Sequence, residues 1–534
     1  MATRRIDPFG FLNYDCTSLV LSNLTLYDLA CAQRVSKDWK ALIEDWSCKQ
    51  GFLQHFPDVP PTENSAAPGQ QQGTGSEATK DERDAEVARF KRYMIEGTCD
   101  ERWAAGHALS VQEYTVHGSV PQAIGDFLVL QTADTILWDQ VCRRKQRRGD
   151  SSLQPINTNS LRYNTGTATT AMKVRSRMLH AAGLLQFDLQ EDLPLNTGRI
   201  WEYMAELETG KVLWSKPKPT IAYGGGRNHH WSPVATGWDR IYYYGDNNLD
   251  IQAFDLRTGA LLYTRQEFVP RKEFFSYSIL QCWRLNGREV LVTYVKSNTR
   301  NDGGQEECKL CFVDPENGQT IQTIPFVKFR GPLDIKVSHR RNEPAFALLS
   351  YNSTGSHPGV VKIQTFDYHR ATGMFRQRGI EDIDLFAQGV YYNNEIDCDP
   401  FRGIIVAADG PASMRSASHD PDTTGAPIRI YPLRPGQGST NPSRCKELVV
   451  GTDTKESYRI TQGRGNIVNS WIWSLRIAGN RLFVGYSFAS LNGTGDRIRT
   501  DEIAVFDFGT PGSSALGEGK CCLHRASGFG MRFR

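Results

Sequence analysis

A short apolar strand that runs into an acidic residue, a tight turn closed by glycine and a short outgoing strand recur along this 534-residue chain. The unit reads Ala205-Glu-Leu-Glu-Thr-Gly-Lys-Val-Leu-Trp214, Ala253-Phe-Asp-Leu-Arg-Thr-Gly-Ala-Leu-Leu262, Phe312-Val-Asp-Pro-Glu-Asn-Gly-Gln-Thr-Ile321 and Phe366-Asp-Tyr-His-Arg-Ala-Thr-Gly-Met-Phe375, with a degenerate copy at Val505-Phe-Asp-Phe-Gly-Thr-Pro-Gly512. The turn glycines Gly210, Gly259, Gly318 and Gly373 fall about 50 to 60 residues apart, a length that suits a four-stranded propeller blade with long loops. Glycine fits such a turn because it adopts positive φ without a Cβ clash, and the acidic residue can cap turn amides.

The surrounding sequence has the same texture. From residue 111 to 507, short runs rich in Val, Ile, Leu, Tyr and Phe are broken every ten residues or so by turn clusters. Residues 127–130, 135–138, 240–244, 290–295, 404–406 and 481–484 are clear examples. Helical periodicity is nearly absent, which predicts an all-β propeller of six to eight blades over 111–510, with an array of sandwiches as the alternative fold.

The N-terminal end follows a different rule. Trp39, Leu42, Ile43 and Trp46 fall at i, i+3, i+4 and i+7, one stripe of an amphipathic helix with Ser36 as its N-cap. Thr25 and Asp28 have capping-box spacing ahead of a second helix that carries Leu29, Ala32 and Val35. A third helix fits residues 15–24. Burying a large side chain stabilises by roughly 1.5–3 kcal/mol, yet a segment of about 40 to 60 residues stays marginal because its buried fraction is small. This three-helix module, residues 6–56, therefore needs a cover: a partner polypeptide or, alternatively, the next domain of its own chain.

Residues 57–81 are rich in Pro, Gly, Gln, Ser and Thr and nearly empty of large apolar side chains, the composition of a disordered linker. Residues 82–96 read as a helix with Val87, Phe90 and Met94 on one side and Trp103 anchoring its end, a bridging element within 82–110. Residues 511–534 form a Gly/Ser-rich flexible tail. The expected fold class is thus α+β multidomain: a small helical module, a linker, then the propeller.

The N-terminal segment resembles an F-box, the helical hook by which substrate receptors attach to the Skp-type adaptor of cullin-RING ubiquitin ligases. The resemblance runs through Leu12 at the family's opening leucine, Val20-Leu21-Ser22 with Leu24, Asp28-Leu29, and Val35-Ser36-Lys37 followed by Trp39. Asn13 stands where the family usually has proline, and Cys16 where it usually has a larger aliphatic residue. The repeat unit, in its Asp-x-x-Thr-Gly-x-x-Leu/Trp form, is similar to quinoprotein-like propellers and also to WD repeats, over most of residues 120–510.

Together these resemblances imply the substrate-recognition subunit of an SCF-type E3 ubiquitin ligase. They imply adaptor contacts from Leu12, Leu19, Val20, Leu21, Leu24, Leu29, Val35 and Trp39, cullin and RING subunits as indirect partners, and a target protein bound by the propeller. Such a receptor is non-catalytic and needs no cofactor. Two other readings stand beside it: an F-box scaffold without a ubiquitin-ligase role, and a quinoprotein-like propeller enzyme or small-molecule binder.

Residue chemistry gives the enzyme reading little. Quinoprotein dehydrogenases are similar to one another in carrying a vicinal cysteine pair near the cofactor, and the only such pair here, Cys521-Cys522, lies in the tail. His229-His230-Trp231 follows Gly224-Gly225-Gly226 without a phosphate-loop motif and reads as a blade-connecting loop. Cys308 and Cys311 lack the second pair that a zinc site requires. The carboxylates of Glu381, Asp382 and Asp384 and of Asp397 and Asp399 read as loop residues rather than a paired acid and base. No catalytic, cofactor or metal residue is assigned. Trp471 and Trp473 alternate along one strand, most simply packed between blades.

Arg143, Arg144, Lys145, Arg147 and Arg148 are the one concentrated charge feature: a solvated loop, a nuclear localisation patch or a contact for phosphorylated or acidic partners. A net charge of +3 gives no global attraction to nucleic acid or membrane. No run approaches the roughly 18 apolar residues of a membrane span. The expectation is a cytoplasmic or nuclear protein whose 12 cysteines are reduced thiols.

Overall fold

The computed structural model describes most of residues 7–56, 80–116 and 122–509; the longest stretches outside it are 57–79, 141–153, 157–171, 409–427 and 510–534. The expected linker, apart from its last two positions, the basic run of residues 143–148, the Cys521-Cys522 pair and the tail all lie outside the described residues. Those described form two compact units, one from residues up to Ala105 together with Gly509, the other from Gly106–Phe508.

In the first unit α1 spans Tyr14–Asn23, α2 Leu26–Ala32 and α3 Lys37–Trp46, followed by a π-helical turn, Ser47–Gly51, and the short α4, Phe52–His55. Each of the first three helices starts on a side chain that satisfies an otherwise orphaned amide. Asn13, in the position where the F-box pattern has proline, accepts from Cys16 N at 2.9 Å. Thr25 and Asp28 form the full capping box, and Ser36 accepts from Trp39 N at 3.1 Å.

The expected bridging helix is longer and contributes to the core of this unit. α5, Lys80–Ala105, begins inside the expected linker and places Phe90 and Met94 in one core with Leu21, Leu26, Leu29, Ile43, Trp46 and Phe52. The chain itself thus supplies part of the cover that three short helices lack. Trp46 is fully buried, its indole N–H donating to Ser18 Oγ at 3.1 Å. The ring rests on Gly51, where a Cβ would come within 2.5 Å of it. Residues 106–110, expected in the bridging element, belong instead to the second unit, where His107–Ala108 pairs in parallel with Val449–Val450.

The second unit is a β-propeller, and its described residues form seven four-stranded antiparallel sheets. Six are built from consecutive strands: blade 1 from residues 122–156, blade 2 from 172–217, blade 3 from 233–265, blade 4 from 275–329, blade 5 from 333–384 and blade 6 from 396–447. The seventh is composite. Its strands Ile467–Ala478, Arg481–Leu491 and Arg497–Asp507 take Ser110–Val116 from the start of the unit as their outer neighbour, with Ser110 opposite Asp507 and Val116 opposite Asp501.

Successive blades are joined face to face. Val129 of blade 1 clusters with Phe187 and Tyr203 of blade 2, Met204 with Tyr243 of blade 3, and Ala253 with Cys282 of blade 4. Phe312 then meets Phe346 of blade 5, Leu349 meets Ile405 of blade 6, and Phe483 of blade 7 meets Leu128 of blade 1, so the ring closes. Blades 6 and 7 also meet through polar bonds. Asp397 accepts from Ile477 N at 2.7 Å, and Arg402 donates to Gly479 O at 2.8 Å and to Asn480 Oδ1 at 2.9 Å. A strand covered on both faces has no need to alternate, and Ala345–Tyr351 and Ile404–Ala408 are buried throughout, whereas the outermost strand Leu261–Arg265 is largely exposed.

The repeat turns explain the recurring glycine. Gly210, Gly259, Gly318 and Gly373 have φ of +68°, +70°, +73° and +68°, and each donates its N–H to the carbonyl four residues earlier. In the second copy Asp255 Oδ1 accepts from Arg257 N at 3.0 Å and Thr258 N at 2.7 Å. The fourth copy departs from the sequence reading: its turn starts at His369, and Asp367 stays within the strand Val360–His369. A further Asp-x-x-x-Gly turn, Asp399 to Gly403, joins the first two strands of blade 6, with Asp399 Oδ1 accepting from Phe401 N and Arg402 N. Asp397 and Asp399, and likewise Glu381, Asp382 and Asp384, are therefore strand residues rather than loop carboxylates. Trp473 sits at a β-bulge against Gly485 and packs beside Tyr114 and Phe483; the Trp471 side chain lies outside the described residues.

Candidate partner-docking surface

Several ionisable side chains buried in the propeller join neighbouring blades. Asp397, wholly buried, pairs with Lys336 of blade 5 at 2.6 Å, and Tyr242 and Tyr243, adjacent on one strand, donate in opposite directions to Glu289 of blade 4 and Glu202 of blade 2. Burial and the Glu289 carboxylate both push the Tyr242 phenol well above its usual range, so it stays a neutral donor. Among the described residues no group of three or more His, Cys, Asp or Glu side chains is arranged to hold a metal ion. His229 and His230 lie on Asn228–His230, which pairs with Thr220–Ala222 in a two-stranded ribbon between blades 2 and 3; Trp231 and the three preceding glycines lie outside the described residues. No described helix is long and apolar enough to cross a membrane.

The first unit is different. On α1 Thr17, Ser18 and Leu21 face inward, while Leu19 is 67% and Val20 40% exposed. Just ahead of the helix Phe11 is 77% and Leu12 40% exposed, its first residue Tyr14 is 39% exposed, and beyond α2 Val35 is 63% exposed. A lone exposed apolar residue is ordinary; this density along one short segment makes it the candidate interaction surface.

The eight side chains expected to meet an adaptor therefore divide. Leu12, Leu19, Val20 and Val35 are exposed, Leu24 and Trp39 are half-buried, and Leu21 and Leu29 are fully buried in the unit's own core. Leu21 and Leu29 are corrected to core residues, because the helices close on them with α5 as an additional wall. Phe11 and Tyr14 join the exposed set. The sequence signal for Phe11 was its place beside the opening leucine, where an aromatic has no helical stripe to belong to.

Local contacts fix both ends of this surface. Asp7 Oδ1 accepts from Phe9 N at 3.0 Å and from Trp39 Nε1 at 2.9 Å, and the Phe9 and Trp39 rings meet edge to face at 4.5 Å. On the other side Lys49 Nζ lies 4.8 Å from the centre of the Tyr14 ring. Asp45 holds that lysine at 2.7 Å and is itself met by Arg83 of α5 at 2.9 Å. Partial burial raises the Tyr14 phenol above its ordinary value, with Lys49 opposing and Asp45 and Asp15 reinforcing, so Tyr14 presents a neutral ring.

No family model matches this sequence, and no curated protein matches it. Among solved structures, the chain is similar at 10% identity and a TM-score of 0.31 to the β-propeller domain of the Trilobed protease from Pyrococcus furiosus, over 78% of this chain and 98% of that one. It is similar at 9% identity and a TM-score of 0.30 to Kluyveromyces lactis Hsv2, over 71% and 95%, and at the same identity and score to the hydrazine synthase of Kuenenia stuttgartiensis, over 60% and 80%. Likenesses this distant carry no argument about function.

Proposed function

We propose that this chain is the substrate-recognition subunit of an SCF-type ubiquitin ligase, its helical unit docking on a Skp-type adaptor and its propeller binding the target protein. The observation that carries the reading is the apolar surface around α1, exposed in the segment whose sequence resembles an F-box. An interface of standard size covers about 800 Å² per partner, and a few well-packed, fully desolvated side chains near its centre provide most of the affinity. The chain then acts by proximity, holding a target near a ubiquitin-loaded enzyme borne by other subunits, and forms no bond itself. Its place of action is the cytoplasm or nucleus.

The test uses the full-length chain and a purified Skp-type adaptor. Leu19→Asp together with Val20→Asp is expected to weaken binding at least about a hundredfold, close to 2.7 kcal/mol, by desolvating two carboxylates at the interface. Both sites are exposed, so the melting temperature should be unchanged. Wild-type protein that ignores the adaptor at micromolar concentration overturns the proposal. Adaptor binding without any protein whose lifetime lengthens on deletion of this chain selects the scaffold reading instead.

A further inference from the structure

We infer that Asp7, Phe9 and Trp39 are positioning residues, a clamp that holds Phe11 and Leu12 in place for docking; the inference rests on the adaptor reading above. Phe11 and Leu12 precede the Asn13 cap, so no helical hydrogen bond orders them, and their exposure of 77% and 40% means that the unit's own core gives them little hold. The chain is nevertheless fastened on both sides of them. Downstream, Asn13 caps α1 and Tyr14 lies beneath Lys49. Upstream, one carboxylate oxygen of Asp7 gathers the Phe9 amide and the Trp39 indole N–H, and the Phe9 ring closes on the Trp39 ring.

Trp39 is a firm post for this clamp, since its own amide is taken by Ser36 at the start of α3. Its indole N–H and part of its ring are occupied by the N-terminal residues, so it acts through Phe9 and Asp7. A segment ordered before the partner arrives loses less freedom on binding, and the gain appears as affinity without any new contact.

Two measurements on the full chain decide the matter. Without adaptor, Asp7→Ala and Phe9→Ala should speed amide hydrogen exchange over residues 9–12 by about tenfold, while Asp7→Asn, which keeps the Oδ1 acceptor, stays near wild type. With purified Skp-type adaptor, each alanine variant should weaken binding by about five- to thirtyfold. That loss should vanish when Phe11→Ala and Leu12→Ala are already present, because the clamp then has nothing to position. An equal loss in both backgrounds, or unchanged exchange in both alanine variants, overturns the clamp. A wild-type chain that never binds adaptor sinks the docking reading instead, and the exchange measurement alone then decides whether the clamp orders the segment.

Discussion

The two units solve the same packing problem with opposite results. Of the large apolar side chains left exposed among the described residues, six fall between residues 11 and 35, whereas eight are spread from Trp238 to Ile498 over the propeller. In the ring every blade offers its faces to two neighbours, so apolar strands are covered by repetition, and a few buried charged groups such as Asp397 and Lys336 secure the joints. In the helical unit four short helices and one wall close over a single core, and α1 is left with an apolar outer face that no described element covers. One unit is finished by its own repeats; the other keeps an apolar surface in reserve.

If that contrast is right, the propeller should be most sensitive where a charge secures a joint. Asp397 meets Lys336 at 2.6 Å and Ile477 N at 2.7 Å, thereby touching blades 5, 6 and 7 from a fully buried position. Asp397→Ala takes the nearer carboxylate from the Lys336 ammonium, which keeps Asp334 at 3.3 Å, and the acceptor from the Ile477 amide; removing one partner of a buried pair costs up to about 3–5 kcal/mol. Hydrogen exchange should accelerate in the first strands of blades 5 to 7 and stay unchanged in α1 to α5. Uniform destabilisation of both units would break the comparison.

A smaller effect separates core from surface within the helical unit. Leu21→Ala removes a fully buried side chain next to Trp46 and Leu29 and should cost about 2–5 kcal/mol, read as faster exchange across α1, α3 and α5. Leu19→Ala, two residues away on the exposed face, should change stability by less than about 0.5 kcal/mol. Equal losses at the two positions would mean that the helix is turned differently from the arrangement described.

How far the sequence revealed this contrast depends on how local each signal is. The repeat turn was legible because its chemistry is confined to five residues: an acidic acceptor, two or three amides and a glycine at positive φ. It misled at the fourth copy, where Asp367 and His369 both offer a plausible start and only strand pairing decides between them. Asp397 and Asp399 read as loop carboxylates because aspartate favours turns, while the lysine that makes burial of Asp397 tolerable lies some sixty residues upstream and is invisible to local reasoning. The helix caps at Thr25 and Ser36 were local and legible. Leu21 and Leu29 were assigned to the adaptor because the F-box resemblance matches positions in a pattern and does not say what each side chain meets in this chain. The wall that meets them, α5, arrives after residues 57–79 and carries Phe90 and Met94 at a spacing that fits a bridging helix equally well.

The smallest predicted effect concerns pH and again distinguishes the units. His55, at the end of α4, is half-buried with its ring 5.7 Å from that of Trp46, and its buried Nε2 has no hydrogen-bond partner among the described residues. Burial holds its imidazole below the ordinary value, so the folded unit prefers the neutral ring. A group whose folded pKa is lowered contributes stability that is fully present above the unfolded value, near 6.5, and is lost as pH falls through the folded one, because the unfolded chain takes up the proton first. Between pH 7.5 and 5 the wild-type helical unit should therefore lose stability relative to His55→Phe, which keeps an aromatic ring in the same place but cannot be protonated. Exchange rates in α3 and α4 measured across that range should converge for the two proteins at the upper end and separate at the lower. Parallel profiles would show that the aromatic cluster around Trp46 accommodates an imidazolium as readily as a neutral ring.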